Sequence, residues 1–266
     1  MGFIDFHTHI FPDHIARQAI DTLAKDAGDY QPRSDGTLKG LLASMDRAGI
    51  DKSVVANIAT RPSQIQPIFE FCREIRSERI IPLISFHPKN NIEDVETIFG
   101  KAKELGIKGV KLHPMYQEFF LDDSGVFEFY RLVESFDFLL VFHTGYDIAF
   151  PGNTQADVER VKTVADLFQN LTIVTTHVGG WRQWDRANVL SGCSNVYTET
   201  SMTLTEIGED QFIRILSSFG EDRILFGSDS PWTDQNEMIE RTMQLKIPDR
   251  MKEKMLYKNA ERLLGL

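Results

Sequence analysis

Eight short runs rich in β-branched and aromatic residues alternate with amphipathic segments along the whole chain, and this alternation is what most restricts the fold. The runs are 3–10 (FIDFHTHI), 53–59, 80–86, 109–113 (GVKLH), 138–144 (FLLVFHT), 171–178 (LTIVTTHV), 196–201 (VYTETS) and 224–229 (ILFGSD). Helical periodicity marks 38–48, 65–76, 92–105, 124–135, 156–169 and 206–218, with two further helices near 234–244 and 248–264. Strands separated by helices pair in parallel, because a parallel neighbour needs a crossover connection. An open doubly wound sheet usually has fewer strands and a Gly-rich first turn, whereas the first turn here is HTHIFPD. The pattern predicts a closed (βα)8 barrel, and 266 residues suit one such domain spanning 1–266. The irregular stretch 26–37 and the short helix pattern before it predict an insertion over the barrel mouth at about 12–37.

A formal net charge of −10 argues against nucleic acid or an anionic membrane surface as partner. The expected partner is a small molecule, and a homodimer is compatible with the fold. The two cysteines, Cys72 and Cys193, lie far apart without metal-ligand spacing, so neither a disulfide framework nor a zinc knot is expected. No basic segment followed by an apolar stretch opens the chain, and no apolar run approaches the ~20 residues of a membrane span. A cytoplasmic protein is the expectation.

Chemistry-bearing residues gather at the ends of the predicted strands. His7 and His9 end the first strand, Lys111 and His113 the fourth, His143 the fifth, His177 the sixth and Asp229 the eighth. In a (βα)8 barrel these ends converge on one mouth, where such enzymes build their sites. His87, before Pro88, reads as a hydrogen-bonded loop residue, and His14 as a solvated one. Strict alternation would put Asp5, His7 and His9 on one face of the first strand and Phe6, Thr8 and Ile10 on the other. Neutral imidazoles with a carboxylate suit Zn²⁺, Mn²⁺ or Fe²⁺, and an open coordination position would activate water. Asp5 would then accept from an imidazole and fix its tautomer.

The HTH motif at 7–9, GVKLHP, VFHTG, THVGG, FGSDSPW and the closing NAERLLGL together resemble the amidohydrolase superfamily. The likeness runs from residue 3 to 266 and is closest to the amidohydrolase-related branch, which includes aminocarboxymuconate semialdehyde and resorcylate decarboxylases. The resemblance implies one divalent metal, Zn²⁺ first, held by His7, His9, His143 and Asp229, with His177 as base or proton shuttle. Some superfamily members bridge two metals with a carboxylated lysine on the fourth strand, a part open to Lys111; a plain amine is the expectation here.

Phe11, Tyr116, Tyr146, Trp181, Trp184 and Trp232 follow strand ends, and Trp181 and Trp232 are placed to wall an apolar pocket. Arg61, Lys111, His113 and Arg182 add polar and cationic groups at the same mouth, which suggests a carboxylate-bearing substrate. Three readings follow: a metal-dependent hydrolase of an amide, lactone or similar bond, with His177 and Asp229 as catalytic groups; a non-oxidative decarboxylase using the same site; and a non-catalytic barrel with a structural metal. The first leads.

Overall fold

The computed structural model describes residues 2–266. Its strands are β1 (Phe3–Thr8), β2 (Ile50–Ala56), β3 (Ile80–Leu83), β4 (Gly109–Leu112), β5 (Leu139–Phe142), β6 (Ile173–Thr175), β7 (Val196–Glu199) and β8 (Ile224–Leu225). Helices α1 (Asp13–Leu23) and α2 (Leu38–Ala48) follow β1; α3 (Ile65–Ile75), α4 (Ile92–Glu104), α5 (Phe127–Ser135) and α6 (Val158–Leu167) follow β2 to β5 in turn. A 3-10 turn, Ala187–Leu190, joins β6 to β7, and α7 (Glu209–Phe219) precedes β8. Helices α8 (Gln235–Gln244), α9 (Asp249–Glu253) and α10 (Asn259–Leu264) complete the chain, the last two joined by a π turn at Lys254–Lys258.

All strand pairs are parallel, in two hydrogen-bonded sets, β1-β2-β3 and β4-β5-β6-β7-β8. Main-chain bonds just beyond the strands sew the two sets into a barrel. One seam joins Ile84 N to Gly109 O at 3.1 Å and Lys111 N to Ile84 O at 2.9 Å. The other joins Phe6 N to Phe226 O and Asp229 N to His7 O, both at 2.8 Å. Except for β2, which is as long as its run but begins three residues before it, the strands are shorter than their apolar runs. Polar residues at the run ends, such as His143, His177 and Asp229, belong to the loops that leave the sheet.

Central strands are buried on both faces, as β4 and β5 are throughout, because one face meets the barrel interior and the other the helical ring. Ile4, Phe6, Val54, Leu83, Leu139, Val141, Val174 and Leu225 fill the interior, and Ala260 and Leu264 of α10 pack against them. The helices carry their own start signals. Thr37, Asn91 and Asp234 accept main-chain N–H bonds at the N-termini of α2, α4 and α8, satisfying donors that have no partner inside a helix.

Strict alternation along β1 does not hold. Asp5 pairs with Ser53 and Thr8 with Val55, so three steps along β1 match two along β2. This irregularity re-aims the side chains that follow it. Phe6 lies inside the barrel, yet His7 and His9 also face the inner cavity. Asp5 points outward, accepting from Ser228 N and Oγ and from Gln235 Nε2 of α8 at 2.9, 2.5 and 2.7 Å. Asp5 therefore does not share the face of the two histidines.

A close backbone approach ties the β5 and β6 loops together at the mouth. Gly145 and Trp181 form a parallel bridge, with Trp181 N donating to Thr144 O at 2.8 Å and Tyr146 N to Trp181 O at 3.0 Å. Gly145 has φ 81°, and a Cβ there would lie 2.3 Å from Trp181 N. Gly145→Ala is thus expected to cost about 3 kcal/mol or more of stability and to displace Trp181. Denaturant midpoint and tryptophan emission check this; an unchanged midpoint would mean that the loops are not held by this bridge.

Candidate active site

The barrel mouth opens into a cavity of about 640 Å³, a size suited to a small-molecule ligand. His7, His9, Lys111, His113, His143, His177 and Asp229 all line it, so the polar strand ends converge as the sequence predicts. Ile15, Ala19, Leu23 and Tyr30 from the 12–37 segment form one wall, and Phe11, Tyr116, Trp181 and Trp232 add aromatic surface. His87 is a buried loop residue outside the lining, its Nδ1 accepting from Lys89 N at 3.1 Å. His14 is exposed.

On the floor, His7, His9 and Asp229 bring ligand-type atoms within 4.8 Å of one another. His7 Nδ1 lies 2.9 Å from Glu199 Oε1, and His9 Nδ1 lies 2.8 Å from the Ala56 carbonyl. Both partners are acceptors, so each Nδ1 carries the proton and each Nε2 presents a lone pair. The two Nε2 atoms are 3.0 Å apart, and Asp229 Oδ1 sits 3.5 Å from His7 Nε2 and 3.2 Å from His9 Nε2. Oδ1 is buried and has no hydrogen-bond partner among the described residues. Burial alone would raise the Asp229 pKa, but His7, His9 and His177 hold it well below the usual carboxylate range. Two lone pairs and an unpartnered carboxylate oxygen aimed at one point fit a borderline divalent cation.

Glu199, rather than Asp5, supports the imidazole of His7. It is buried at the end of β7; burial pushes its pKa up, but His7, His177 and the Ser201 N–H together bring it down to about 2. Glu199 is a carboxylate inside the run VYTETS, two residues before its end, and a charged group within a predicted strand was its available signal. Asp147 carries no comparable signal, since it lies on the loop after β5. It approaches His113 Nε2 at 3.3 Å and His143 Nε2 at 3.6 Å, and burial's upward push on its pKa is more than offset by these imidazoles.

His143 is thus grouped with His113 and Asp147 rather than with the first trio. Its ring stacks on His113 with centroids 4.2 Å apart, and its Nε2 lies 2.9 Å from the Tyr146 carbonyl. That carbonyl calls for a proton on Nε2, which leaves Nδ1 as the lone pair available to a cation.

His177 lies between the two groups, its ring centroid 5.7 Å from that of His7 and 5.0 Å from that of His143. It has φ 57° and Asp229 φ 65°, a left-handed conformation uncommon outside glycine and concentrated at functional positions. Trp184 Nε1 donates to the His177 carbonyl at 2.9 Å and so braces the loop rather than the cavity. Burial pushes the His177 imidazole down to about 4, against the pull of Glu199 and Asp229, and leaves it neutral near pH 7. Lys111 is 1% exposed, and its Nζ has no hydrogen-bond partner among the described residues. Burial pushes its pKa down to about 8, against Asp229, Glu199 and Asp147.

The two arginines part company. Arg61 is exposed on the cavity rim. Arg182 lies outside the lining, 3.8 Å from Glu206; with Trp181 anchored by its main chain and facing inward, the next side chain turns to solvent. Tyr146 also lies outside the lining. Among the described residues, no helix is long and apolar enough to cross a membrane.

Solved structures share this architecture. An uncharacterized TIM-barrel protein from Bordetella bronchiseptica aligns with a TM-score of 0.82 at 23% identity, over 100% of this chain and 99% of its own. A dihydroxybenzoic acid decarboxylase from Polaromonas sp. JS666, with bound manganese and the inhibitor 2-nitroresorcinol, aligns at 0.73 and 16% identity, over 100% and 97%. A probable 2-pyrone-4,6-dicarboxylic acid hydrolase from Acinetobacter baumannii, with citric acid bound, aligns at 0.70 and 17% identity, over 100% of both chains. A search of curated sequences finds no match. The family model described as amidohydrolase matches residues 4–266, and with the parallel barrel and the strand-end histidines in place, the chain belongs to the amidohydrolase family.

Proposed function

We propose that this protein is a metal-dependent hydrolase acting on an amide, lactone or similar bond of a small, carboxylate-bearing substrate. The observation that carries the reading is the convergence, on one cavity floor, of the His7–His9–Asp229 trio, neutral His177 and the partnerless ammonium of Lys111. His7, His9 and Asp229 would hold one divalent ion, Zn²⁺ first with Mn²⁺ or Fe²⁺ as alternatives, and His143 would add Nδ1. When bound, such an ion supplies Lewis acidity, polarising a carbonyl and lowering the pKa of water to about 7. His177 accepts the proton of the attacking water at Nε2. Lys111 and Arg61 receive the substrate carboxylate, and Trp181 and Trp232 pack against its apolar body.

A carboxy-lyase is the second reading. The aromatic walls of the cavity suit a ring-bearing acid, and the Polaromonas decarboxylase shares the fold. Incubating the metal-loaded protein with a panel of small carboxylic acids, lactones and amides separates the two. Water-dependent opening without CO₂ supports the hydrolase; stoichiometric CO₂ from an intact acid would replace it with the lyase.

The charge assignment has its own test. Lys111→Met and Arg61→Met are each expected to raise KM for an acidic substrate roughly tenfold, about 1.4 kcal/mol. Arg182→Met is expected to leave KM unchanged. Equal kcat/KM for a substrate and its neutral methyl ester, in wild type and variants alike, would remove the carboxylate from the proposal.

A further inference from the structure

Glu199 meets donors on both oxygens. His7 Nδ1, Ser201 Oγ and His177 N approach Oε1 at 2.9, 2.7 and 3.1 Å, and Ser201 N approaches Oε2 at 2.6 Å. Two of these, His177 N and Ser201 N, are main-chain N–H groups that can only donate, so the carboxylate is ionised and accepts, and the proton between it and His7 sits on Nδ1. A hydroxyl has one proton, and the short contact to the carboxylate takes that of Ser201. The Oγ lone pairs then face His177 Nδ1 at 2.9 Å and His7 Nδ1 at 3.2 Å. His177 Nδ1 is also 3.2 Å from the Ser201 carbonyl, which can only accept. Both imidazoles therefore carry the proton on Nδ1 and expose Nε2. Gly227 leaves room for this arrangement, since a Cβ there would lie 2.1 Å from Glu199 Oε2.

We propose that Glu199 is a positioning residue for two functions at once, acting directly on His7 and through Ser201 on His177. One buried carboxylate thereby aims the lone pair of a cation ligand and that of the proton acceptor, so the two groups are held in register. The inference rests on the roles given above to His7 and His177, but the tautomers can be read without turnover.

The experiment is ¹⁵N NMR of histidine-labelled, Zn²⁺-loaded protein, with resonances assigned by substitution, together with Zn²⁺ affinity from competition with a chromophoric chelator. Wild type is expected to show protonated Nδ1 and unprotonated Nε2 on both His7 and His177. Glu199→Gln is expected to weaken Zn²⁺ binding 10–100-fold, the usual scale for losing such a partner. Ser201→Ala, a small change that spares the His7–Glu199 contact, is expected to leave Zn²⁺ affinity unchanged and shift the His177 tautomer. It should also lower kcat on the order of tenfold at constant KM, with Ser201→Thr restoring both. A protonated Nε2 on His177 in wild type would overturn the proposal. So would Zn²⁺ affinity and a His177 spectrum unaltered in both variants. Expected tautomers in a protein that hydrolyses nothing on the panel would count against the proposed activity alone and leave the positioning role standing.

Discussion

Asp229→Ala is expected to empty the metal site and lower turnover by at least ~10³-fold, about 4 kcal/mol of transition-state stabilisation. The carboxylate is the only anionic member of the His7–His9–Asp229 trio. Without it, two imidazole lone pairs 3.0 Å apart would have to hold a dication in a buried pocket with no neutralising charge directly opposite. Elemental analysis after gel filtration, alongside the rate, checks the result. One ion per chain with near-native turnover would show that Asp229 is not a ligand and that the cation, if any, sits elsewhere in the cavity.

His177→Asn should act differently, retaining the metal and lowering kcat by at least ~10²-fold, about 2.7 kcal/mol. Asparagine is chosen because it tolerates the left-handed backbone that His177 adopts at φ 57°, so the loop braced by Trp184 keeps its path. The amide has no titratable lone pair to take a proton, so the loss is expected in kcat with metal content unchanged. If His177→Asn empties the site while Asp229→Ala does not, the roles of ligand and proton acceptor are exchanged.

Much of the barrel was legible because parallel βα units leave a local mark. A strand buried on both faces reads as an apolar run, and the helix after it repeats with a different period. Each predicted run overlaps a strand, although β2 begins three residues before its run 53–59 and β8 keeps only Ile224–Leu225 of 224–229. The shortening has a physical cause, since beyond Leu225 the chain leaves the β7 pairing and bonds along β1 on its way to the mouth, Asp229 N donating to His7 O. Of the residues nominated at strand ends, Lys111, His113, His143, His177 and Asp229 line one cavity with His7 and His9. Arg182 does not, because its neighbour Trp181 takes the inward position.

The order of strands and helices, the convergence of the strand-end histidines on one end of the barrel and the residue types of the trio were legible in the primary structure. Those features depend on residue type and on periods of two or 3.6 residues, which are local. Which carboxylate serves which imidazole depends on the closed barrel. The one-residue irregularity between Asp5 and Thr8 is a property of the pairing with β2, and it sends Asp5 outward to Gln235 while turning His7 inward. The acceptor that His7 finds instead is Glu199, 192 positions away along the chain. A hydrogen bond over that separation leaves no periodic trace, because nothing brings its partners together until the barrel closes.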